Sequence, residues 1–494
     1  MADLSAIFKA YDVRGMVPDQ LDEPTARLIG AAFALEIGAV PGSVPRNPGV
    51  GHDSSETFEA PARGVVVGHD MRASSPGLAA AFSDGVRETG ADVMLIGLAA
   101  TDQLYFASGD LGMPGAMITA SHNPAGYNGI KLCRAHAVAM AEDTGLRAIH
   151  DRVAGWAELQ TVEHSPAGEN LSKPLLSLLR GPRGTEGTLE HRDVLDDYAK
   201  HLHRLVSVCG RRLRVVVDAG SGMAGHTVPA VFAKLDVELV PMYFELDGNF
   251  PHHLADPLDA ATLVDLQRAV VERGADLGLA FDGDADRCFA VDECGEVISP
   301  SALTALIALR MLVQEPGAHI IHNLITSRAV PEVVIRHGGI PVRTRVGHSL
   351  IKASMASTDA VFGGEHSGHF YFRDFWYADS GMLAALHLLA AAAETSTPVS
   401  ELVRELIPYV ASGEVNSLVA DTSEVIDKVR QSYSGHNGIQ RDSLDGLTVS
   451  SARWWFNVRA SNTEPVLRLN VEADNTETMV DIRDQVLALM REKS

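Results

Sequence analysis

At 494 residues the chain is too long for a single hydrophobic core, and three or four domains of ordinary size are expected. Its net charge of −23 argues against a general nucleic-acid or anionic-membrane surface, so the cations that meet an anionic substrate must be gathered locally. The four cysteines have no CxxC spacing and indicate neither a zinc site nor a disulfide framework.

The N-terminal stretch "MADLSAIFKAYDVRG" has no basic segment followed by an apolar one, unlike a signal peptide. No apolar run reaches the roughly 18 residues of a spanning helix; "GMLAALHLLAAAAE" is shorter and carries a histidine. A cytoplasmic protein with no membrane partner is expected. Residues 41–64, rich in Pro, Gly and Ser, read as a surface excursion. From Gly64, Leu213 and Ala318 three segments then follow one plan of apolar strand, polar turn, amphipathic helix and second strand. They are "GVVVGHDMRASSPGLAAAFSDGVRETGADVMLIG", "LRVVVDAGSGMAGHTVPAVFAKLDVELVP" and "AHIIHNLITSRAVPEVVIRHGGIPVRTRVG". Short β-branched runs alternating with helices indicate parallel βαβ units, so an architectural repeat is expected. After each unit comes a polar loop between apolar strands: "TASHNPAGYNG", "DGDADR" and "GEHSGH". The breakers place domains at 1–160, 190–295, 296–409 and 410–494, with a linker over 161–190. The last domain pairs the alternating "GLTVSSARWWFNVRASNTEPVLRLNVEAD" with the helical "ETMVDIRDQVLALMREK", an α+β construction.

In the first loop Ser121, His122 and Asn123 stand before the turn-forming Pro124. A serine hydroxyl is a weak nucleophile unless activated or modified, and no GxSxG elbow surrounds it. Ser121 and Asn123 could simply cap backbone groups of a turn; a phosphate ester on Ser121 would instead supply a metal-binding oxygen. In the second loop Asp282, Asp284 and Asp286 lie two residues apart, so an extended segment would point their carboxylates to one side. Three hard oxygen ligands of like charge suit Mg²⁺ when phosphate completes its shell, and the adjoining Arg287 offers that phosphate a guanidinium. The alternative is a solvated acidic turn. In the third loop Glu365, Ser367 and His369 alternate and are expected to share a face, the first two for sugar hydroxyls and His369 to move a proton. His366, pointing the other way, is expected to be structural. In the tail, Arg459, Ser461, Asn462 and Thr463 combine a fork with small donors, suited to a second phosphate or to a polar hairpin.

Together with "FKAYDVRG", these four pieces resemble the α-D-phosphohexomutases, in the phosphomannomutase/phosphoglucomutase branch. The likeness spans nearly the whole chain with its motifs in family order. It implies three related α/β domains with mixed sheets and a C-terminal α+β, TATA-binding-protein-like domain around a central cleft. It implies that Ser121 carries the transferable phosphate and that Asp282, Asp284 and Asp286 hold Mg²⁺ with it. Glu365 and Ser367 would bind sugar hydroxyls, and Arg459, Ser461, Asn462 and Thr463 the idle phosphate. Tyr11, Arg14, Lys131, Gly347 and His348 match further active-site positions. Ser121, His122, Lys131, Arg14 and His369 are thus the catalytic candidates. The implied reaction interconverts hexose 6-phosphate and 1-phosphate, mannose before glucose, through a 1,6-bisphosphate that also serves as activator. A phosphoserine-using sugar-phosphate phosphatase and a non-catalytic sugar-phosphate binder are the competing classes. A monomer or homodimer is expected. Two departures stand out: His366 replaces a Met frequent in dual-specificity members, and Ile325 stands where relatives often have Lys, with Arg328 or Arg345 as possible substitutes.

Overall fold

The computed structural model describes residues 4–39, 64–162, 185–419, 421–460 and 466–491. Most of the Pro/Gly-rich excursion and of the linker, and all of Ser461, Asn462 and Thr463, lie outside the described residues. The chain divides into two compact units, one of Met1–Val297 with His369–Pro398, the other of Ile298–Gly368 with Val399–Ser494.

The first unit holds two mixed sheets. In the first, β1 (Val13–Met16), β2 (Gly64–His69), β3 (Asp92–Leu98), β4 (Gly115–Ile118), β5 (Tyr127–Arg134) and β7 (Leu189–His191) are ordered β1-β5-β4-β2-β3-β7, and β6 (Val138–Ala139) pairs with β5. Strand β2 runs parallel to β3 and β4, whereas β5 turns back antiparallel to β4 and to β1. The second sheet places β8 (Leu213–Asp218) parallel to β9 (Val237–Met242) and to β10 (Leu277–Phe281). Strand β11 (Cys288–Asp292) returns antiparallel to β10, and β12 (Val297–Ile298) follows at the edge. The β-branched runs "GVVVGH" and "LRVVVD" are buried almost throughout, because crossover helices Ser75–Glu88 and Ala224–Phe232 accompany them.

The second unit repeats the plan. Strand β13 (His319–Asn323) lies parallel to β14 (Ile340–Thr344) and β15 (Phe362–Gly364), with helix Ala329–Arg336 between β13 and β14. The chain then passes to β16 (Phe370–Phe372) and β17 (Ala378–Asp379), an antiparallel pair belonging to the first unit. Helix Gly381–Ala393 follows, buried along nearly its whole length; among the described residues no helix is long and apolar enough to cross a membrane.

The C-terminal strands β18 (Val410–Leu418), β19 (Gln440–Asp442), β20 (Leu447–Ser450), β21 (Trp454–Ala460) and β22 (Val466–Ala473) form an antiparallel sheet ordered β18-β22-β21-β20-β19. Helices Thr422–Ser432 and Thr476–Arg491 seal one core with Val458, Leu469, Val471 and Val486. Three related α/β domains and an α+β fourth are therefore present. In each α/β domain the polar loop leaves the end of a strand parallel to the first strand of its βαβ unit: β4, β10 and β15.

Candidate active site

The first unit brings the serine loop and the aspartate loop together. Ser121, in the turn between β4 and β5, is buried and has φ +50, a left-handed conformation unusual for a residue with a Cβ. Its Oγ donates to Asp282 Oδ2 at 2.6 Å and lies 3.2 Å from His122 Nδ1. Gly283 makes this approach possible, since a Cβ there would stand 2.3 Å from the Ser121 carbonyl oxygen. Arg14 on β1 donates to Asn123 Oδ1 at 2.5 Å and to Asp12 Oδ2 at 2.6 Å, so it braces the serine loop. Tyr11 is half-buried in the bend just before β1.

The aspartates converge, but not by strand alternation. The β10–β11 hairpin closes over Asp282–Arg287 as a turn, with Ala285 at φ +60, and that turn points one oxygen of each carboxylate inward. Those oxygens lie within 4.8 Å of one another, and all three residues are buried. Lys131, opposite Met117 in the β4–β5 register, donates to Asp284 Oδ2 at 2.6 Å and Asp286 Oδ2 at 2.5 Å. Arg287 is buried too; its Nε donates to Asp282 Oδ2 at 2.8 Å, its Nη2 to His122 Nδ1, and Nη2 stands 3.4 Å from Ser121 Oγ. His369 pairs by backbone with Arg287, and its Nε2 lies 3.6 Å from Asp286 Oδ1.

Burial pushes the Asp282 carboxyl above its usual range despite Arg287. Burial works the same way on Asp284, but the Lys131 ammonium outweighs it and holds that carboxyl low. Lys131 is driven up in turn: burial opposes its charge, and Asp284 and Asp286 more than compensate. Burial, with Arg287 and Arg14 nearby, pushes His122 down to about 2, so its imidazole is neutral at neutral pH. A metal ion would find a fitting donor set here. Asp284 Oδ1 and Asp286 Oδ1 are buried without a hydrogen-bond partner, and every donor is a hard oxygen, as Mg²⁺ prefers.

The remaining candidates belong to the second unit. Glu365 is buried, its Oε1 accepting from Asn323 Nδ2 at 3.2 Å and from the Gly347 amide at 3.4 Å. Gly347, at φ +139, caps the helix that His348 begins. Residues 365–368 form a turn closed by the Gly368 amide on the Glu365 carbonyl, so the shared strand face expected for Glu365, Ser367 and His369 does not exist. The loop had to turn back toward β16, and His369 goes with the first unit while Glu365 and half-buried Ser367 stay in the second. His366 Nδ1 lies 3.4 Å from Ser301 Oγ. Arg459, buried on β21, is not a solitary cation: its Nη2 donates to Glu414 Oε2 at 2.9 Å, and Arg468 takes the other carboxylate oxygen at 3.1 Å.

Similarity to known proteins agrees with this layout. The family profiles of phosphoglucomutase/phosphomannomutase match in order: alpha/beta/alpha domain I over residues 5–160, II over 196–295, III over 299–410 and the C-terminal domain over 414–489. A phosphohexose mutase of Xanthomonas campestris is 37% identical across 97% of this chain and 98% of its own. The phosphomannomutase of Escherichia coli K12 is 36% identical across 97% of each. This chain belongs to the phosphoglucomutase/phosphomannomutase family. It is accordingly an isomerase of carbohydrate metabolism, a hexose-phosphate mutase. Among solved structures, a phosphoglucomutase/phosphomannomutase family protein from Burkholderia thailandensis matches with TM-score 0.83 at 31% identity, covering 100% of this chain and 99% of that one. The Paramecium phosphoglucomutase parafusin, in an open form, shares the fold at TM-score 0.73 and 16% identity, over 98% of this chain and 94% of its own.

Within this mutase, Ile325 is buried in the second unit. Arg328 is no substitute for a missing lysine, because it is tied to Asp474 at 2.8 Å and to the Ala452 carbonyl at 3.1 Å and lies over the Tyr409 ring. Arg345 is exposed. Sequence reasoning missed Thr101, whose Oγ1 donates to Asp284 Oδ2 at 2.6 Å and whose amide donates to the Asp284 carbonyl at 3.0 Å. It also missed Arg72 and Glu414. The buried charge of "GHDMR", set directly after an apolar strand, was the one available signal for Arg72. Thr101 starts helix Thr101–Leu111 and looks like any helix-starting threonine until the fold lays it on the aspartate loop.

Proposed function

We propose that this mutase moves phosphate between the 1- and 6-positions of a hexose, mannose before glucose, through a phosphorylated Ser121 and a bound 1,6-bisphosphate. The observation that carries the reading is the 2.6 Å hydrogen bond from Ser121 Oγ to Asp282, beside two further buried aspartates. A turn-capping serine has no need of three carboxylates. The phosphomannomutases at 36% identity support mannose as the preferred sugar.

Asp282, Asp284 and Asp286 would hold Mg²⁺, together with an oxygen of the Ser121 phosphate. When bound, the ion supplies charge neutralisation for the transferring phosphoryl group. The chain's own groups do the rest. As the bond from phosphorus to Ser121 Oγ breaks and one to the sugar oxygen forms, the sugar hydroxyl's proton must leave, and Ser121 Oγ must be stabilised as it is released. Arg287, 3.4 Å from Oγ, is placed to stabilise it. Lys131 and His369, both at Asp286, serve proton movement and charge balance. Neutral His122 accepts from Arg287 and so holds that guanidinium toward Oγ. Glu365 and Ser367 bind sugar hydroxyls, with Gly347, whose amide donates to Glu365, and the adjoining His348 as further substrate contacts, and Arg459 with Ser461, Asn462 and Thr463 takes the idle phosphate. The bisphosphate acts as activator because it rephosphorylates an enzyme that has lost its phosphate.

A coupled assay on mannose, glucose and glucosamine phosphates with trace bisphosphate tests the substrate, and intact-mass analysis tests the serine. Part of the isolated protein should carry one phosphate on Ser121, and Ser121→Ala should fold yet lose nearly all mutase activity. Full activity in the alanine variant would end this reading, and phosphate released to solvent would make the enzyme a phosphatase.

A further inference from the structure

We propose that Arg72 is the positioning residue of the serine loop: its guanidinium holds the left-handed turn that aims Ser121 Oγ. Arg72 follows β2, is almost completely inaccessible, and spends its donors on a single loop. Nη1 donates to the carbonyls of Pro124 and Tyr127, each at 2.9 Å. Nη2 donates to the carbonyls of Ser121 at 2.7 Å and Asn123 at 2.6 Å. The remaining edge, Nε, lies 3.2 Å from Asp70 Oδ2, while the Arg72 amide donates to Asp70 Oδ1 at 2.9 Å. A guanidinium has five N–H donors in a rigid plane, and here the four on Nη1 and Nη2 each donate to a carbonyl of the loop, while Nε makes an ion pair with Asp70 without a hydrogen bond.

The loop needs such a group. Ser121 at φ +50 is in a left-handed conformation that an L-residue rarely adopts. Four of its carbonyls converge on Arg72, that of Pro124 accepting from the Tyr127 amide at 3.0 Å as well, and leaving a carbonyl in the buried part of the loop unpaired is costly. One planar cation answers all four and fixes their spacing. A buried arginine adds little stability by itself, since its desolvation offsets what its partners return. Its presence is better explained by geometry imposed on the loop. The second α/β domain braces the clamp from behind. The Phe250 ring lies 5.1 Å under the guanidinium, and Gly248 passes so close that a Cβ there would sit 2.7 Å from Arg72 Cα. Arg72 thus connects the segment Gly248–Phe250 to the residue whose hydroxyl reaches Asp282. It touches neither the reacting oxygen nor the aspartate trio in any of these contacts, so its effect is exerted through the loop.

The inference rests on Ser121 being the phosphate carrier, and its test separates the two. Arg72→Lys keeps the charge but presents donors from one atom, which cannot span four carbonyls. The amides of Ser121, Asn123 and Tyr127 are bonded within the loop, to Thr119 Oγ1, Ala120 and Pro124, and so report its closure by hydrogen exchange. In Arg72→Lys their exchange should quicken about tenfold while the β2 amides of Val66 and Val67 are unchanged. The rate constant kcat should fall about a hundredfold with the substrate Kd unchanged, as expected when a reacting group is misplaced and binding groups are not. In Arg72→Ala, methylguanidinium should restore about tenfold of the lost rate and methylammonium none. Loop exchange equal to the parent's, or kcat unchanged in Arg72→Lys, overturns the proposal. Equal loss of protection in β2 and loop also overturns it, by making Arg72 a residue of the fold alone. Selective loop opening alongside a fully active Ser121→Ala would leave the clamp standing and remove the reading of Ser121.

Discussion

Replacing Thr101 with valine removes one hydroxyl and almost no volume. Thr101 is fully buried, so water cannot take the place of its 2.6 Å hydrogen bond to Asp284 Oδ2. Its amide bond to the Asp284 carbonyl is retained, so the helix start and the loop backbone stay in place. What is lost is the neutral donor that, with the Lys131 ammonium, orients this carboxylate. A hydrogen bond to a charged group contributes about 1.5–3 kcal/mol, and removing the partner that orients a metal ligand lowers metal affinity about 10–100-fold. The two figures agree, since tenfold corresponds to about 1.4 kcal/mol. The Mg²⁺ concentration for half-maximal mutase activity should therefore rise about 10–100-fold in Thr101→Val. Mn²⁺ binding followed by electron paramagnetic resonance, which needs no turnover, should weaken in parallel. Activity at saturating metal should largely return. An unchanged Mg²⁺ midpoint in a folded variant would refute the argument and leave Thr101 as nothing more than the first residue of a helix.

Three further outcomes follow from the same geometry. Asp284→Asn should behave as the parent does after chelation, since one fewer charge weakens an all-oxygen site; Mg²⁺ titration with and without EDTA checks it, and full turnover in metal-free parent enzyme would contradict it. Arg459→Ala should weaken binding of 1- and 6-phosphate alike, near the lower end of the about 2–5 kcal/mol typical of such truncations, because Arg459 already shares its charge with Glu414. Titration calorimetry with each isomer measures this, and loss confined to one isomer would place Arg459 in the transfer chemistry. Asp102, buried and bonded by Tyr198 and Ser380, is raised to about 7 chiefly by burial. A folded state that keeps its proton up to about pH 7, against 3.8 unfolded, loses stability as pH rises between those values, on the order of 4 kcal/mol in all. Asp102→Asn stays neutral, so its stability relative to the parent should climb across that window; a difference independent of pH, measured by denaturant titration, would refute the assignment.

The repeat, the strand–loop–strand setting of each polar loop, and the identities of Ser121 and the three aspartates were all legible along the chain. They are local: β-branched runs, breakers and clustered oxygens are properties of a few consecutive residues. The argument from strand alternation expected the three aspartates to share a side, and they do converge, but through a turn at Ala285 and not along a strand. At Glu365, Ser367 and His369 it failed outright, since a turn sends the third residue to another compact unit.

Tertiary structure alone decided which charges are balanced and by what. Arg459 reads from "RASNTEP" as a fork for a phosphate, yet Glu414, 45 positions earlier, comes to it across the antiparallel sheet. Lys131 meets Asp284 and Asp286 from 153 and 155 positions away, Thr101 meets Asp284 from 183, and Arg72 reaches the serine loop from 49 to 55. Sequence spacing carries no signal for such pairs. A buried ion is tolerated only where a partner is brought to it, and only the packing of separate strands and helices determines which partner arrives.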